Sequence, residues 1–237
     1  MIPKIIHYCW FGNKVKPKSV EKCIRTWKDV LPDYRFIEWN EKNFDIAYNK
    51  YTSEAYMAKK YAFVSDVARL KALYEYGGIY LDTDVIVYNK FDFILNEGCV
   101  FGFEEKQFIA TSFMACEKYH EFIKEFLDYY SNTQYGDMIT NVVVVTSLLE
   151  KRGLKRIDEK QQLDKNIAIY PQEFFSPYDY INCMMKKTNQ TICVHLYYVS
   201  WAKKSEKFSR IIKSIFVKII GVDSMKKLRQ MIGKGKK

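Results

Sequence analysis

The sequence predicts an α/β layered domain around a parallel core, and three observations carry that prediction. A strand–helix–strand pattern opens the chain. Further on, a helix stops at a double glycine and gives way to an apolar strand that meets two acids. The chain has 237 residues, 48% of them hydrophobic and 28% charged. That is long enough to bury a sizeable core and ordinary for a globular protein. Disordered, collagen-like and coiled-coil descriptions of the whole chain do not fit this composition. No apolar run reaches the ~18 residues expected of a membrane-spanning helix.

The elements follow in chain order. Lys4 to Trp10 reads as a short buried strand, ended by the turn Phe11-Gly12-Asn13. Val20, Cys23, Ile24 and Trp27 have helical spacing, so Ser19 to Val30 is predicted as a helix with Ser19 as its N-cap. Leu31-Pro32-Asp33 breaks it, and Tyr34 to Trp39 alternates as a second strand. A βαβ opening of this kind argues for layers around parallel strands.

Tyr61 to Tyr76 is the next helix, with Phe63, Val67, Leu70 and Tyr74 at three- and four-residue steps. Gly77-Gly78 stops it in the manner of a left-handed cap. A strand then runs from Ile79 through Asp82-Thr83-Asp84 to Val87. Cys99 to Phe103 reads as a strand and Glu117 to Tyr130 as a helix. Met138 to Glu150 is a helix or a strand, because the run Val142 to Val145 suits either. Ile167 to Tyr170 and Thr191 to Leu196 read as strands.

The formal net charge is +10, and its placement says more than its size. Residues 202–237 hold 12 Lys plus Arg and two acids, so the tail carries the whole excess and the body is neutral. That distribution does not suggest a body that reads nucleic acid. Phe208, Ile211, Ile212, Ile215, Phe216, Ile219 and Ile220 repeat at helical spacing, with Lys207, Arg210, Lys213 and Lys218 on the other face. A basic amphipathic helix of this type lies on an anionic membrane surface or docks its apolar face on the domain. The division expected is a folded domain at 1–201 and a basic tail at 202–237. No pair among the 6 Cys forms CxxC, so buried free thiols are expected. The amino terminus has no signal-peptide pattern, and a cytoplasmic protein held peripherally at the inner membrane face is the expectation.

Asp82 and Asp84 are the residues most suggestive of chemistry. On a strand, side chains two apart share a face. Two carboxylates that close repel unless a cation or donors compensate, and their hard oxygens suit Mg²⁺ or Mn²⁺. Asp66 and Arg69, three apart on the preceding helix, form either a surface ion pair or a recognition pair on the same rim.

The string from Phe63 to Asp84, with its S-D-x-x-R and L-x-x-x-G-G-x-Y-x-D-x-D skeleton, resembles the sugar-binding region of glycosyltransferase family 32. Ile2 to His7 followed by Trp10 is similar to that family's opening strand. Tyr170-Pro171 with Phe174-Phe175 resembles its P-x-x-F-Y-P region, and His195 with Ser200-Trp201 resembles its terminal H-x-x-x-x-S-W. Thr140-Asn141-Val142 departs from the family's T-G-P pattern, on the acceptor side.

The resemblance implies a GT-A-type, Rossmann-like transferase domain that moves a hexose with retention from a UDP- or GDP-linked sugar to a glycan acceptor, lipid-linked where the tail recruits the protein to a membrane. Bacterial capsule, lipopolysaccharide or exopolysaccharide synthesis is the expected setting. By the same resemblance Asp82, Asp84 and Arg69 are catalytic, and Asp84, Asp82 and His195 hold Mn²⁺ or Mg²⁺. Trp10, Asp66, Arg69, Tyr80, Asp82, Ser200 and Trp201 bind the donor, with Trp10 stacked on the base. Should retention proceed by double displacement, Glu104 and Glu105 are the nearby carboxylates.

Two other readings compete. Tyr80 to Val85 superficially fits the D-x-D-x-[TV] motif of haloacid-dehalogenase-type phosphatases. That fold needs a later acidic pair, and Gly136-Asp137 is followed by Asn141 where the second acid would stand. A membrane- or nucleic-acid-binding module driven by the tail is the non-enzyme alternative.

Overall fold

In the computed structural model, residues 1–105, 107–133, 139–179 and 184–197 are described. In chain order the elements are β1 (Ile5–Cys9), α1 (Lys18–Val30), β2 (Arg35–Trp39), α2 (Lys50–Met57), α3 (Tyr61–Tyr76), β3 (Gly78–Leu81), β4 (Val85–Val87), β5 (Cys99–Glu104), β6 (Phe108–Ile109) and β7 (Phe113–Cys116). They continue with α4 (Glu121–Ser131), α5 (Asn141–Glu150), β8 (Gln161–Leu163), β9 (Ile167–Tyr170), α6 (Gln172–Phe175), β10 (Tyr178–Asp179), β11 (Met184–Met185) and β12 (Cys193–His195).

The main sheet runs in the order β2-β1-β3-β7-β5-β9-β8, with β6 paired to β5. The parallel core is present with one interruption. β2, β1 and β3 are mutually parallel, as are β5 and β9, while β7 lies antiparallel between β3 and β5. Two antiparallel steps restore the original direction, so β1, β3, β5 and β9 end on the same side. Trp10, Asp82 and Glu104 therefore emerge at one carboxyl edge, the place where open α/β sheets bind ligands.

Two apolar layers sandwich the sheet. Alternation along β1 sends Ile6 and Tyr8 toward α1, with Val20, Ile24 and Trp27, and sends Cys9 toward α3, with Val67, Leu70 and Leu73. α3 begins and ends where its periodicity predicts. Gly77 and Gly78 have φ of 64° and 110°, and a Cβ on Gly78 would stand 2.7 Å from the Ile5 carbonyl oxygen. Only glycine combines that backbone with so close an approach to β1. His7 completes the joint: its Nε2 donates to the Gly77 carbonyl at 2.8 Å, and its Nδ1 accepts from Trp39 Nε1 at 3.1 Å. Burial lowers the His7 pKa to about 4, so the ring is neutral.

The structure corrects several expectations. α1 starts at Lys18, and Pro17 rather than Ser19 is its N-cap, with no side-chain cap. α4 starts at Glu121 because Tyr119 sits at φ 60° and the His120 side chain caps Phe122 N–H. The valine run is helical. Val144, Val145, Leu148 and Leu149 are buried, and packing overrides β-branched preference there. The stretch from Ile79 to Val87 is not one strand. β3 ends at Leu81, Asp82 to Asp84 form a turn closed by Val85 N–H on the Asp82 carbonyl at 3.0 Å, and β4 pairs with β12 in a separate ribbon. α2 and β7 were not foreseen.

Cys9, Cys23, Cys99, Cys116 and Cys193 are buried free thiols, as expected. No described helix is long and apolar enough to cross a membrane. Ser200, Trp201, the Gly136-Asp137 pair and the tail at 202–237 lie outside the described residues.

Candidate functional site: an acidic turn beside a buried arginine

The turn between β3 and β4 brings Asp82 and Asp84 together. Pleat alternation plays no part, since neither residue is in a strand. Asp82 N–H donates to the Ser112 carbonyl at 2.9 Å, which fastens the turn to the start of β7. β12 runs antiparallel to β4 with His195 opposite Val85, and Leu196 N–H donates to the Asp84 carbonyl at 3.0 Å. His195 Nε2 thus lies 3.1 Å from Asp84 Oδ1. Ligand atoms of Asp82, Asp84 and His195 all fall within 4.8 Å of one another. Two hard carboxylates and an imidazole, all half-buried, fit a Mg²⁺- or Mn²⁺-sized ion with positions left for a ligand's oxygens. Burial lowers the His195 pKa, but Asp84, Asp82 and Glu104 outweigh it and hold the group above its ordinary value.

α3 supplies the other half of the site. Asp66 and Arg69 are buried, so the surface ion pair considered for them is ruled out. The Arg69 side chain donates from Nε to the Ser65 carbonyl at 3.1 Å and from one terminal nitrogen to the Thr111 carbonyl at 2.9 Å. Its other terminal nitrogen stands 3.2 Å from Asp66 Oδ1 and 3.4 Å from Asp82 Oδ1. The guanidinium lies 4.5 Å from the Tyr80 ring centroid, and the Tyr80 hydroxyl donates to Asp82 Oδ1 at 2.8 Å. Tyr80 is 1% exposed, so it reaches the site through Asp82. Asn141, the first residue of α5, donates to Asp66 Oδ1 at 2.7 Å. Burial pushes the Asp66 carboxyl up to about 7 against the pull of Arg69.

Trp10 leaves the end of β1 half-buried on the α1 side. Its Nε1 donates to the Lys14 carbonyl at 2.6 Å, and the Lys16 ammonium lies 5.9 Å from the ring centroid. A groove of about 320 Å³ opens beside Tyr8, Lys16, Ile24 and Glu38, apart from the acidic turn.

Glu104, at the end of β5, faces His195 and Asp82, and burial raises its pKa to about 7. Tyr197 donates to Glu104 Oε2 at 3.2 Å and lies against His195. Thr111 and Tyr197 were not singled out from the sequence, and Asn141 was noted there but not as a partner of Asp66. For Asn141 the only signal was its departure from the T-G-P pattern, and for Tyr197 its place two residues after His195.

Comparison with known proteins matches residues 17–101 to the "Glycosyltransferase sugar-binding region containing DXD motif". Those residues include Asp66, Arg69, Asp82 and Asp84. Over those residues the chain is similar to that glycosyltransferase family. Inositol phosphoceramide mannosyltransferase 3 of Schizosaccharomyces pombe is 31% identical over 133 residues, covering 52% of this chain and 35% of the relative. Lactosylceramide 4-alpha-galactosyltransferase of Mus musculus is 27% identical over 158 residues, covering 60% of this chain and 42% of the relative. The chain thus spans about a third to two-fifths of the length of these curated relatives. Among solved structures, PaToxG glycosyltransferase superposes with a TM-score of 0.52 at 22% identity, over 63% of this chain and 69% of that one. At that identity the likeness shows the fold, a parallel-rich α/β sheet of GT-A type.

Proposed function

We propose that this chain is a divalent-metal-dependent glycosyltransferase that moves a hexose, with retention, from a UDP- or GDP-linked sugar to a glycan acceptor. The observation that carries the reading is the convergence of Asp82, Asp84 and His195 within 4.8 Å, next to the Asp66–Arg69 pair at the carboxyl edge of the sheet. Asp82, Asp84 and His195 would hold Mn²⁺ or Mg²⁺, which when bound offsets the negative charge that gathers on the departing diphosphate. Asp66 and Arg69 would hold the sugar hydroxyls and the phosphate side of the donor. The Trp10 ring offers a flat partner for the base, a contact worth roughly 1–3 kcal/mol.

Both relatives are named for sugar transfer to ceramide-based lipids. Their names support a lipid-linked acceptor here. The basic tail supports recruitment to an anionic surface, at roughly 1 kcal/mol per basic residue near it. We place the protein at the inner face of a membrane, in polysaccharide or glycolipid synthesis. Binding to anionic vesicles at low salt, lost on deletion of residues 202–237, is the expected result for that part.

Thermal shift with a panel of UDP- and GDP-sugars, with and without Mn²⁺, tests the central reading. A ligand that binds the native state raises the melting temperature by mass action. One nucleotide class should shift the wild type only with metal present and leave Asp84→Ala unmoved. No shift with any nucleotide sugar overturns the proposal.

A further inference from the structure

The surroundings of His195 carry an inference that rests on the metal-dependent reading above. An imidazole that ligates a metal normally has its far nitrogen fixed by a hydrogen bond, which sets the ring's orientation. His195 departs from that pattern. Its Nε2 faces Asp84, and its buried Nδ1 has no hydrogen-bond partner among the described residues.

What the structure supplies instead is an aromatic ring over the imidazole. The Tyr197 and His195 ring centroids are 3.9 Å apart, with planes tilted by 37°. Residues two apart on a plain strand lie roughly 6–7 Å from each other, so strand geometry alone does not stack them. The backbone at Tyr197 is left-handed, with φ 50°. For a bulky residue that conformation is strained and persists only where its surroundings over-determine it. Here they do. The Tyr197 hydroxyl donates to Glu104 Oε2 at 3.2 Å and stands 3.2 Å from Ser176 Oγ. Just before it, Leu196 N–H is tied to the Asp84 carbonyl. The ring is thus fastened at its hydroxyl to β5 and to the end of α6, and its face lies on the imidazole.

We propose that Tyr197 is a positioning residue: anchored through its hydroxyl by Glu104 and Ser176, its ring holds His195 against Asp84 in the orientation a divalent cation needs. Ring stacking does for this histidine what a second-nitrogen hydrogen bond does for most metal-ligating ones.

Mn²⁺ binding to the full-length protein, read from the electron paramagnetic resonance signal of the free ion, tests this with and without UDP. Tyr197→Phe keeps the ring and loses its anchor. Its Mn²⁺ affinity should fall roughly 10–100-fold, as for other outer partners of metal ligands. Its melting temperature should fall by no more than about 12 °C, the effect of the two hydrogen bonds the hydroxyl makes. Glu104→Gln keeps an acceptor for the hydroxyl and should bind Mn²⁺ like wild type, whereas Glu104→Leu should resemble Tyr197→Phe. Wild-type affinity in Tyr197→Phe overturns the positioning role and leaves the metal reading standing. So does a Glu104→Gln variant as weak as Glu104→Leu, since Glu104 would then act by its charge. A wild type that binds no Mn²⁺ under either condition overturns both. If Tyr197→Phe does not fold, Ser176→Ala and Glu104→Leu make the same comparison, and unchanged affinity in both overturns the role.

Discussion

Removing the Arg69 guanidinium tests how the site is held together. Arg69→Met keeps much of the side-chain volume and leaves Asp66 and Asp82 without the cation that stands 3.2 and 3.4 Å from them. It also removes the donations to the Ser65 and Thr111 carbonyls and the contact over Tyr80. Arg69 and Asp66 are 6% and 7% exposed, so solvent does little to compensate. Taking one partner from a buried pair costs about 3–5 kcal/mol. In a chain of this size that is roughly 6–20 °C of melting temperature.

The loss has a definite pH dependence. Burial raises the Asp66 carboxyl to about 7, above its unfolded value, while Arg69 pulls it down. A carboxyl with a raised folded pKa costs stability when charged. That cost is full above about pH 7 and is relieved as the pH falls toward the unfolded value. Without Arg69 the folded pKa rises further and the cost at high pH grows. The gap between wild type and Arg69→Met should therefore be widest at pH 8 and narrower at pH 5, where Asp66 is protonated in both. Urea unfolding followed by tryptophan fluorescence at the two pH values measures it. A gap below about 1 kcal/mol at pH 8, or one that widens toward pH 5, refutes this account of the site.

Other perturbations test the frame around it. His7 is buried and neutral, with its pKa lowered to about 4. Its contribution is therefore present above pH 6.5 and lost as the pH falls from there toward 4, by about 3 kcal/mol. A His7→Gln variant should show a stability profile flatter by that amount when denaturant midpoints are compared across the window. Gly78→Ala places a Cβ 2.7 Å from the Ile5 carbonyl oxygen at φ 110°, and should cost roughly 2–5 kcal/mol in urea unfolding. Thr146 Oγ accepts from Ile109 N–H at 2.9 Å and donates to the Val142 carbonyl at 2.7 Å. Thr146→Val strands a buried N–H and should lower stability by about 1–3 kcal/mol, read as a drop in melting temperature.

Much of the frame was legible locally. β1, α1, β2 and α3 announce themselves by the spacing or density of their apolar residues and by the Pro or Gly that bounds them. α2 has a signal that could have found it: the Asn49 side chain and the Thr52 side chain cap each other's backbone N–H groups. β7 has none. All four of its residues are buried, so it lacks the alternation that marks a strand with one wet face. The continuous strand expected across Asp82 to Asp84 failed for a related reason. An apolar run does not say which sheet each half joins, and here β3 pairs with β1 and β7 while β4 pairs with β12.

By itself the sequence pointed to an α/β domain and to Asp82, Asp84, Asp66 and Arg69 as one group, and the fold brings those four side chains together. These are short-range facts, written in helical periodicity, glycine punctuation and a motif within one stretch of chain. Only the tertiary structure decided what meets that stretch from afar. His195 lies on Asp84 because β12 pairs with β4, and Glu104 and Thr111 reach the site because β5 and β7 end or begin at the same edge. Asn141 touches Asp66 because α5 starts beside α3. Contacts between residues far apart in sequence are set by how elements pack, and no local spacing encodes them. For the same reason burial, which raises Asp66 and Glu104 and neutralises His7, exists only once the layers have closed.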